Sequence, residues 1–492
     1  MATLIHERRK RTMEQAKIKL PRSAAELQGI PLEAITGFLD NLAAQSIEAH
    51  SFMIVRNGHV VAEGAWQPYR IEDRHMLFSL SKSFTSTAIG FAASEGLLSL
   101  DDRAVRYFPE ELPDETSPLL EEMRIRDLLT MSTGHEKDTV PLGNDQYGDN
   151  WAKEILSQPV VHPPGTHFVY NSGATYLLAV ILHRVTGVPL LEYLGPRLFE
   201  PLGISDATWE KCPRGFAVGG WGLSIAVEDI AKFGLLYLQN GIWDGKRLLP
   251  EGWVEEATSK HIDNGSDADN DWHQGYGYQF WRCRHGAYRG DGAFGQFCIV
   301  LPEQAAVIAV TSGTGNMGGI MQAIWDNLLP AMGPEPVVGN MRATESLTER
   351  LRSLRYDPPA EEAANPAAEQ RMNGVVYRLE ANSAQLESLA FSFGDDQVLV
   401  TMVNPRGEQR IAAGRGVWRE SVCSLLGDAE LKVVASVAWS DPETIKLTLR
   451  FVEAPFTFDV VVRPKEDGAI EVGMHEHAGN NDYPAISGSP QT

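Results

Sequence analysis

Between residues 51 and 66 the chain reads SFMIVRNGHVVAEGAW, two apolar runs joined by Asn57-Gly58. Both turn residues suit a positive φ, so a β-hairpin is expected here. The next stretch, LFSLSKSFTSTAIGFAASEGLLSLDD (77–102), carries Leu80, Phe84, Ala88 and Phe91 at helical spacing, and Gly96 ends the run. Helix and loop dominate from 103 to 250. MRIRDLLTMSTGH (123–135) reads as a short helix stopped by Gly134, and GATYLLAVILHRVTG (173–187) as a buried helix ended by Gly187. SIAVEDIAKFGLLYLQNGIWDG (224–245) reads as a helix with Ile230, Phe233, Tyr237 and Leu238 inward and Asn240-Gly241 at its end. Apolar runs of strand length return at YGYQFWRCR (276–284), GQFCIVLP (295–302) and AAVIAVTS (305–312), before a last helix over about 318–331.

Strands at both ends of this region predict one sheet completed by the returning chain. A helical lobe is inserted in the middle, and the cleft between sheet and lobe is the natural place for a site. The pattern then changes. YDPPAEEAANPAAEQ (356–370) is rich in Pro, Ala and Glu and marks a linker, taken as 341–370. Beyond it, GVVYRLE, QVLVTMV, ELKVVASVAW, ETIKLTLRFV, FTFDVVVR and AIEVGM alternate in character. They predict an antiparallel β domain over 371–478, a small barrel or sandwich. Residues 479–492 are expected to be a disordered tail and residues 1–30 an extended, partly ordered arm. The class is α+β: a mixed domain over 1–340, then an all-β domain.

A length of 492 residues fits two domains, and 43% hydrophobic with 22% charged residues fits a soluble globular protein. The net charge of −22 argues against nucleic acid, whose phosphates are held by Lys and Arg, and against an anionic membrane surface. Cys212, Cys283, Cys298 and Cys423 are scattered, which disfavours a disulfide framework or a Cys-rich zinc site. The start, MATLIHERRKRTMEQAK, lacks the apolar core of a signal peptide. No stretch approaches the ~18–20 apolar residues of a membrane-spanning helix. A cytoplasmic location is the expectation.

Ser79 and Lys82 form the one Ser-x-x-Lys in the chain. Three residues apart, they share a helix face, while Ser81 and Ser83 lie on others. A serine hydroxyl needs a base to attack, and a neutral lysine amine serves. Burial and the positive end of a helix dipole both disfavour the ammonium, and the Ser79 N–H is available to a developing oxyanion. The alternative is a capping serine with a solvated lysine; the preceding hairpin and the apolar helix favour the chemical reading. Tyr170 lies after Pro163-Pro164-Gly165 and just before a helix. It is either a general base or relay beside the pair, or a core tyrosine. In YRGDGAFGQFCIVLP (288–302), Gly290, Gly292 and Gly295 mark either a close backbone approach, with an N–H that completes an oxyanion hole, or a glycine-rich turn.

Together these segments resemble the serine β-lactamase-like superfamily: class C β-lactamases, DD-peptidases, related esterases and 6-aminohexanoate-dimer hydrolases. The likeness covers about residues 20–335. Besides Ser-x-x-Lys it rests on MRIRDLLTMSTG (123–134), FVYNSGATYLL (168–178), GGWGLSIAVEDIAKFGLLYLQNG (219–241) and GAFGQFCIVLPE (292–303). It implies a β-lactamase/DD-peptidase-like fold, an antiparallel sheet flanked by helices plus a helical lobe. By the resemblance Ser79 is the acyl-forming nucleophile, Lys82 takes its proton alone or with Tyr170, and Tyr170 protonates the leaving group. The oxyanion hole is the N–H groups of Ser79 and about Ala293, and no cofactor or metal is implied. The family's Tyr-x-Asn stands here as Tyr170-Asn171-Ser172, which makes Ser172 a candidate substrate contact together with Gly292. Lys-Thr-Gly is absent; its nearest counterpart is Gly290-Asp291-Gly292. An aspartate there repels a substrate carboxylate, so a small neutral ester or linear amide is expected. Rivals are a true β-lactamase or DD-peptidase, and a non-catalytic binding or scaffold protein with the same fold.

Two other patterns carry less. Gly313-x-Gly315-x-x-Gly318 has the form of a dinucleotide fingerprint, but no further parallel strand follows it. His475-Glu476-His477 lacks a third ligand for a metal. Trp221, Trp281 and Tyr278 are core or cleft wall. The C-terminal domain is open to three roles: shaping the cleft mouth, pairing two chains as a homodimer, or capping the catalytic domain.

Overall fold

The computed structural model describes residues 18–140 and 148–491. Residues 1–17 of the expected arm lie outside the described residues. The rest of the arm is fixed: Leu20 is buried, and the Arg22 guanidinium sits between Glu63 and Glu228.

A six-stranded antiparallel sheet forms the centre of the first domain. Its strands are β1 (Ala49–Arg56), β2 (His59–Ala65), β3 (Trp281–Arg282), β4 (Tyr288–Gly292), β5 (Gln296–Leu301) and β6 (Ala306–Ser312), in the order β2-β1-β6-β5-β4-β3. The hairpin forms as expected, with φ of 49° at Asn57 and 79° at Gly58. The returning chain completes the sheet where β6 pairs with β1, Phe52 opposite Val310. Successive side chains enter two different cores. Phe52, Ile54, Phe297, Ile299, Ile308 and Val310 pack under the helices α1 (Leu32–Ala44) and α5 (Met317–Ala323). Met53, Val55, Cys298, Val300, Val307 and Ala309 face the other side. That side is covered by α2 (Ser81–Ser94) and α4 (Val227–Leu238), with α3 (Ser172–Thr186) in the helical lobe beyond. Burial on both faces explains why these strands read as unbroken apolar runs.

Three expectations change. Of the run 276–284 only Trp281–Arg282 is strand. Gln279 is left-handed (φ 64°), and its buried amide donates to the carbonyls of Leu128 and Leu129 while accepting from Thr175. The backbone turns to deliver that amide. The stretch 341–370 is more than a linker. Met341–Arg352 is a helix, α6, capped by the Asn340 side chain, with Leu347 buried against the α1 side of the domain. Pro366–Met372 is a second helix, whose Ala368 and Met372 enter the core of the β domain. Nor are residues 479–491 of the expected tail disordered; residue 492 lies outside the described residues. Asn481–Pro490 is a strand between Val376–Leu379 and Ile470–Glu476, with Ile486 buried. Backbone ladder hydrogen bonds, rather than an apolar pattern, hold it.

The β domain contains ten strands and closes on itself through parallel pairing of Ala413–Arg415 with Ala435–Val437. The barrel joins the first domain around Glu48, which accepts from Arg450 and Thr457 and pairs with His477. His477 also contacts Asp459, and His475 contacts Asp482. The His-Glu-His run thus serves the domain junction and a surface pair. Gly313 serves the junction too: a Cβ there would stand 2.2 Å from the Pro455 carbonyl oxygen.

Candidate active site

The helix α2 is buried through its first three turns, residues 81 to 92, although half of them are Ser, Thr or Lys. Each hydroxyl has a defined partner, as burial of polar groups requires. Ser81 accepts from the Leu223 N–H; Ser83, Thr85 and Ser86 donate to the carbonyls of Gln279, Gly219 and Tyr278. These bonds fix the helix against the lobe and the β3–β4 region. Ser79 lies just before it, in a 3₁₀ turn over Phe78–Leu80. Phe78 has φ 50°, a conformation rarely held by a bulky side chain and found where surrounding structure imposes it.

Lys82 is 1% exposed. Its Nζ donates to Ser79 Oγ (3.0 Å), Ser172 Oγ (3.3 Å) and the Gly220 carbonyl oxygen (2.7 Å). Burial pushes its pKa down to about 8, and the more distant carboxylates of Asp138 and Asp291 resist only in part. Tyr170 completes the group. Its ring stacks on Trp281 at 5.2 Å, and Lys82 Nζ lies 4.8 Å from the ring centroid. Burial, seconded by Asp291, pushes the Tyr170 phenol well above its usual value, against a side-chain hydrogen bond with Ser79 that pulls it down. The fold therefore brings Ser79, Lys82, Tyr170 and Ser172 together. Ser172 is 3% exposed, and its hydroxyl is directed at the lysine.

The glycines of β4 are a close approach, not merely a turn. A Cβ on Gly290 would stand 2.4 Å from Leu80 Cδ1, and one on Gly292 2.0 Å from the Leu77 carbonyl oxygen. Backbone cannot yield as a flexible side chain can. Gly292→Ala is therefore expected to shift the Leu77–Phe78 turn and lower kcat/KM by about 10- to 100-fold, consistent with misplacement of a catalytic group by roughly 1 Å. Steady-state kinetics with an ester, alongside near-UV circular dichroism to show a retained fold, checks this. Ala293 follows directly, at the start of the turn from Gly292 to Gly295.

Asp291 behaves differently from its sequence reading. Its register partner is Phe297, on the sheet face away from Gly290 and Gly292. There it pairs with the fully buried Arg289 guanidinium (2.9 Å) and accepts from Trp272 Nε1 (3.0 Å). The pairing weakens the expected repulsion of a substrate carboxylate and any attraction from Arg289, while the Asp291 charge still reaches Lys82 and Tyr170.

Sequence reasoning also missed partners. Gly220 acts through its carbonyl, and a Cβ there would lie 2.9 Å from the Ser172 carbonyl oxygen and 3.6 Å from Lys82 Nζ. The Gly219-Gly220 pair was the one available signal. Asp138, which accepts from the Ser172 N–H, had none.

Known proteins resemble this chain to different extents. The 6-aminohexanoate-dimer hydrolase of Paenarthrobacter ureafaciens is 28% identical over 309 residues, 58% of this chain and 78% of that protein. The lovastatin esterase of Penicillium rubens is 31% identical over 173 residues, 31% of this chain and 43% of the relative. The solved structure of the octameric penicillin-binding protein homologue from Pyrococcus abyssi is 17% identical. It has a TM-score of 0.51 and covers 92% of this chain and 99% of its own, a likeness of fold. The family described as Beta-lactamase matches residues 34–329, the same stretch that builds the sheet, the lobe and the serine–lysine pair. With more than half of its length in that match, the chain belongs to the Beta-lactamase family and is a serine hydrolase.

Proposed function

We propose that this enzyme hydrolyses a small neutral ester or linear amide through an acyl-enzyme on Ser79. One observation carries the reading: Lys82 Nζ stands 3.0 Å from Ser79 Oγ with its pKa lowered to about 8. At pH 7 a lysine of pKa 8 is neutral in about one molecule in ten, roughly 300-fold more often than an unperturbed one. Lys82 takes the Ser79 proton as Oγ attacks the substrate carbonyl carbon. The N–H groups of Ser79 and Ala293 receive the oxyanion. Collapse expels the alcohol or amine, which takes a proton from Tyr170, and the lysine ammonium returns one to the phenol. With its pKa raised, Tyr170 is protonated at neutral pH and acts as the acid rather than as a phenolate base. Water, deprotonated by the same amine, then splits the acyl ester, and the ammonium returns that proton to the departing Ser79 Oγ.

The choice of a neutral substrate rests on the cleft. Arg289 is engaged by Asp291, and the rings around the reacting group, Tyr170, Trp281 and Tyr276, are uncharged. Two relatives bear on the bond class alone: one is named a 6-aminohexanoate-dimer hydrolase and one a lovastatin esterase.

The test uses wild-type protein with p-nitrophenyl acetate, a fluorophosphonate and penicillin G. Ester turnover and one fluorophosphonate adduct, mapped to Ser79 by peptide mass, are expected. Penicillin is expected to be turned over poorly or not at all; fast turnover makes the enzyme a β-lactamase. Folded protein that takes no label and hydrolyses nothing is a scaffold, and the reading is wrong.

A further inference from the structure

The barrel reaches the candidate active site with one hairpin tip, Val452–Phe456, between the strands Thr444–Phe451 and Thr457–Pro464. The tip is anchored on the segment that leads into Ser79. The Glu453 carbonyl oxygen accepts from the Met76 N–H (2.8 Å), and the Glu453 carboxylate accepts from Arg74 Nε and the Lys432 N–H (3.0 Å each). Arg450 and Thr457, at the base of the tip, hold Glu48. So fixed, Phe456 meets Phe294 at 5.4 Å and Phe78 at 6.1 Å between ring centroids, and Phe78 meets Phe294 at 5.4 Å. All three contacts are edge-to-face.

The positions of these rings matter. Phe78 directly precedes Ser79 and Phe294 directly follows Ala293, so each neighbours one of the two proposed oxyanion donors. Both hold positive φ, 50° and 64°. Bulky residues rarely adopt that backbone, and such strain clusters at functional sites. None of the three is buried as a core phenylalanine is: Phe78, Phe294 and Phe456 are all partly buried, whereas Phe84, in the first turn of α2, is fully covered. Three partly open rings thus meet where the segments of Ser79 and Ala293 come together.

We propose that Phe456 is a specificity-determining residue. With Phe78 and Phe294 it forms the apolar wall against which the acyl group of the substrate lies, and it limits the size of that group. This rests on the hydrolase reading above. The leaving group must reach the proton held by Tyr170 and Lys82, so the acyl half is the part that lies along the phenylalanine trio. The barrel thereby becomes part of the catalytic cleft.

The test varies the acyl chain with a constant leaving group: p-nitrophenyl acetate, butyrate and octanoate with full-length wild type, Phe456→Ala, Phe456→Leu and Phe456→Trp. The ratio of kcat/KM for octanoate over acetate is expected to rise at least fivefold in Phe456→Ala, less in Phe456→Leu, and to fall at least fivefold in Phe456→Trp. Phe456→Leu keeps apolar contact at the domain junction, so the series remains readable if the alanine variant misfolds. Ratios that agree within twofold across the folded variants, a shift in the opposite sense, or an equal loss on all three esters overturn the proposal. A wild type that hydrolyses none of the esters overturns the hydrolase reading and this proposal with it.

Discussion

Ser79→Ala is expected to lower kcat/KM for p-nitrophenyl acetate by about 10⁴-fold or more and to abolish fluorophosphonate labelling. Removing a nucleophile from a set of groups that act together costs roughly as much as removing the whole set. What remains is the weak catalysis of oxyanion donors and binding. Ser79 is only half-buried, and its hydroxyl is engaged by groups of the site, Lys82 and Tyr170, so its loss leaves the packing intact. The other serines nearby make the comparison sharp. Ser81 accepts from the Leu223 N–H and Ser83 donates to the Gln279 carbonyl. Ser81→Ala and Ser83→Ala each lose one such bond, at a cost of about 1–3 kcal/mol in stability, and should keep the label. Intact-mass spectrometry on the three variants, beside rates and thermal midpoints, separates them. A Ser79→Ala protein that still takes one label places the nucleophile elsewhere.

Some of this arrangement could be read from the chain and some could not, for physical reasons. The 51–66 hairpin was legible because Asn-Gly answers a backbone requirement, a positive φ at two successive residues. The strands of the sheet were legible as runs, but not their faces. A strand buried on both sides shows no alternation; the period-two rule parts Phe52 from Met53, but nothing in FMIV tells which of them enters which core. The aromatic run at 276–284 was overread, because its apolar residues are buried in the core around a left-handed glutamine rather than laid out along a strand. The last strand was invisible, since Asn481–Pro490 is held by backbone ladder bonds and its side chains, two prolines among them, carry no apolar alternation.

The site divides in the same way. Ser79 and Lys82 were visible because their spacing is a side-chain property. The Gly220 carbonyl that holds Lys82 was not, because a backbone acceptor leaves no residue-type signature. Asp291 is the instructive miss. Arg289 and Asp291 stand two apart on one strand and therefore on one face, so their pairing was open to the period-two rule. Read alone, the aspartate suggested a free repulsive charge; read with its neighbour, it is one half of a buried ion pair.

Lys82→Met is the second large effect, and two pH readouts distinguish a base from a structural lysine. Loss of a general base lowers kcat/KM by about 10²–10⁴-fold. The active form is the neutral amine, and burial has lowered its pKa from 10.5 to about 8. The wild-type rate should therefore climb tenfold per pH unit below about pH 8 and level off above it, while the residual rate of the variant shows no such limb. Tyr170 cannot supply that limb, since its phenol is shifted upward, away from 8. Stability must move with it. Between pH 8 and 10.5 the unfolded chain keeps a proton on Lys82 that the folded chain has released. The unfolded state then binds more protons, so the folded state gains stability as pH rises through this window. The wild type should gain up to about 3 kcal/mol over Lys82→Met between pH 8 and 10.5. Urea denaturation of both proteins at pH 7.5 and 10 measures the difference. Losing Lys82 also leaves the Gly220 carbonyl and the Ser172 hydroxyl without this donor, a cost that does not vary with pH. It therefore shifts both points equally and leaves the slope to the amine. Equal slopes for the two proteins, or a limb that survives in the variant, would remove Lys82 from the role of base.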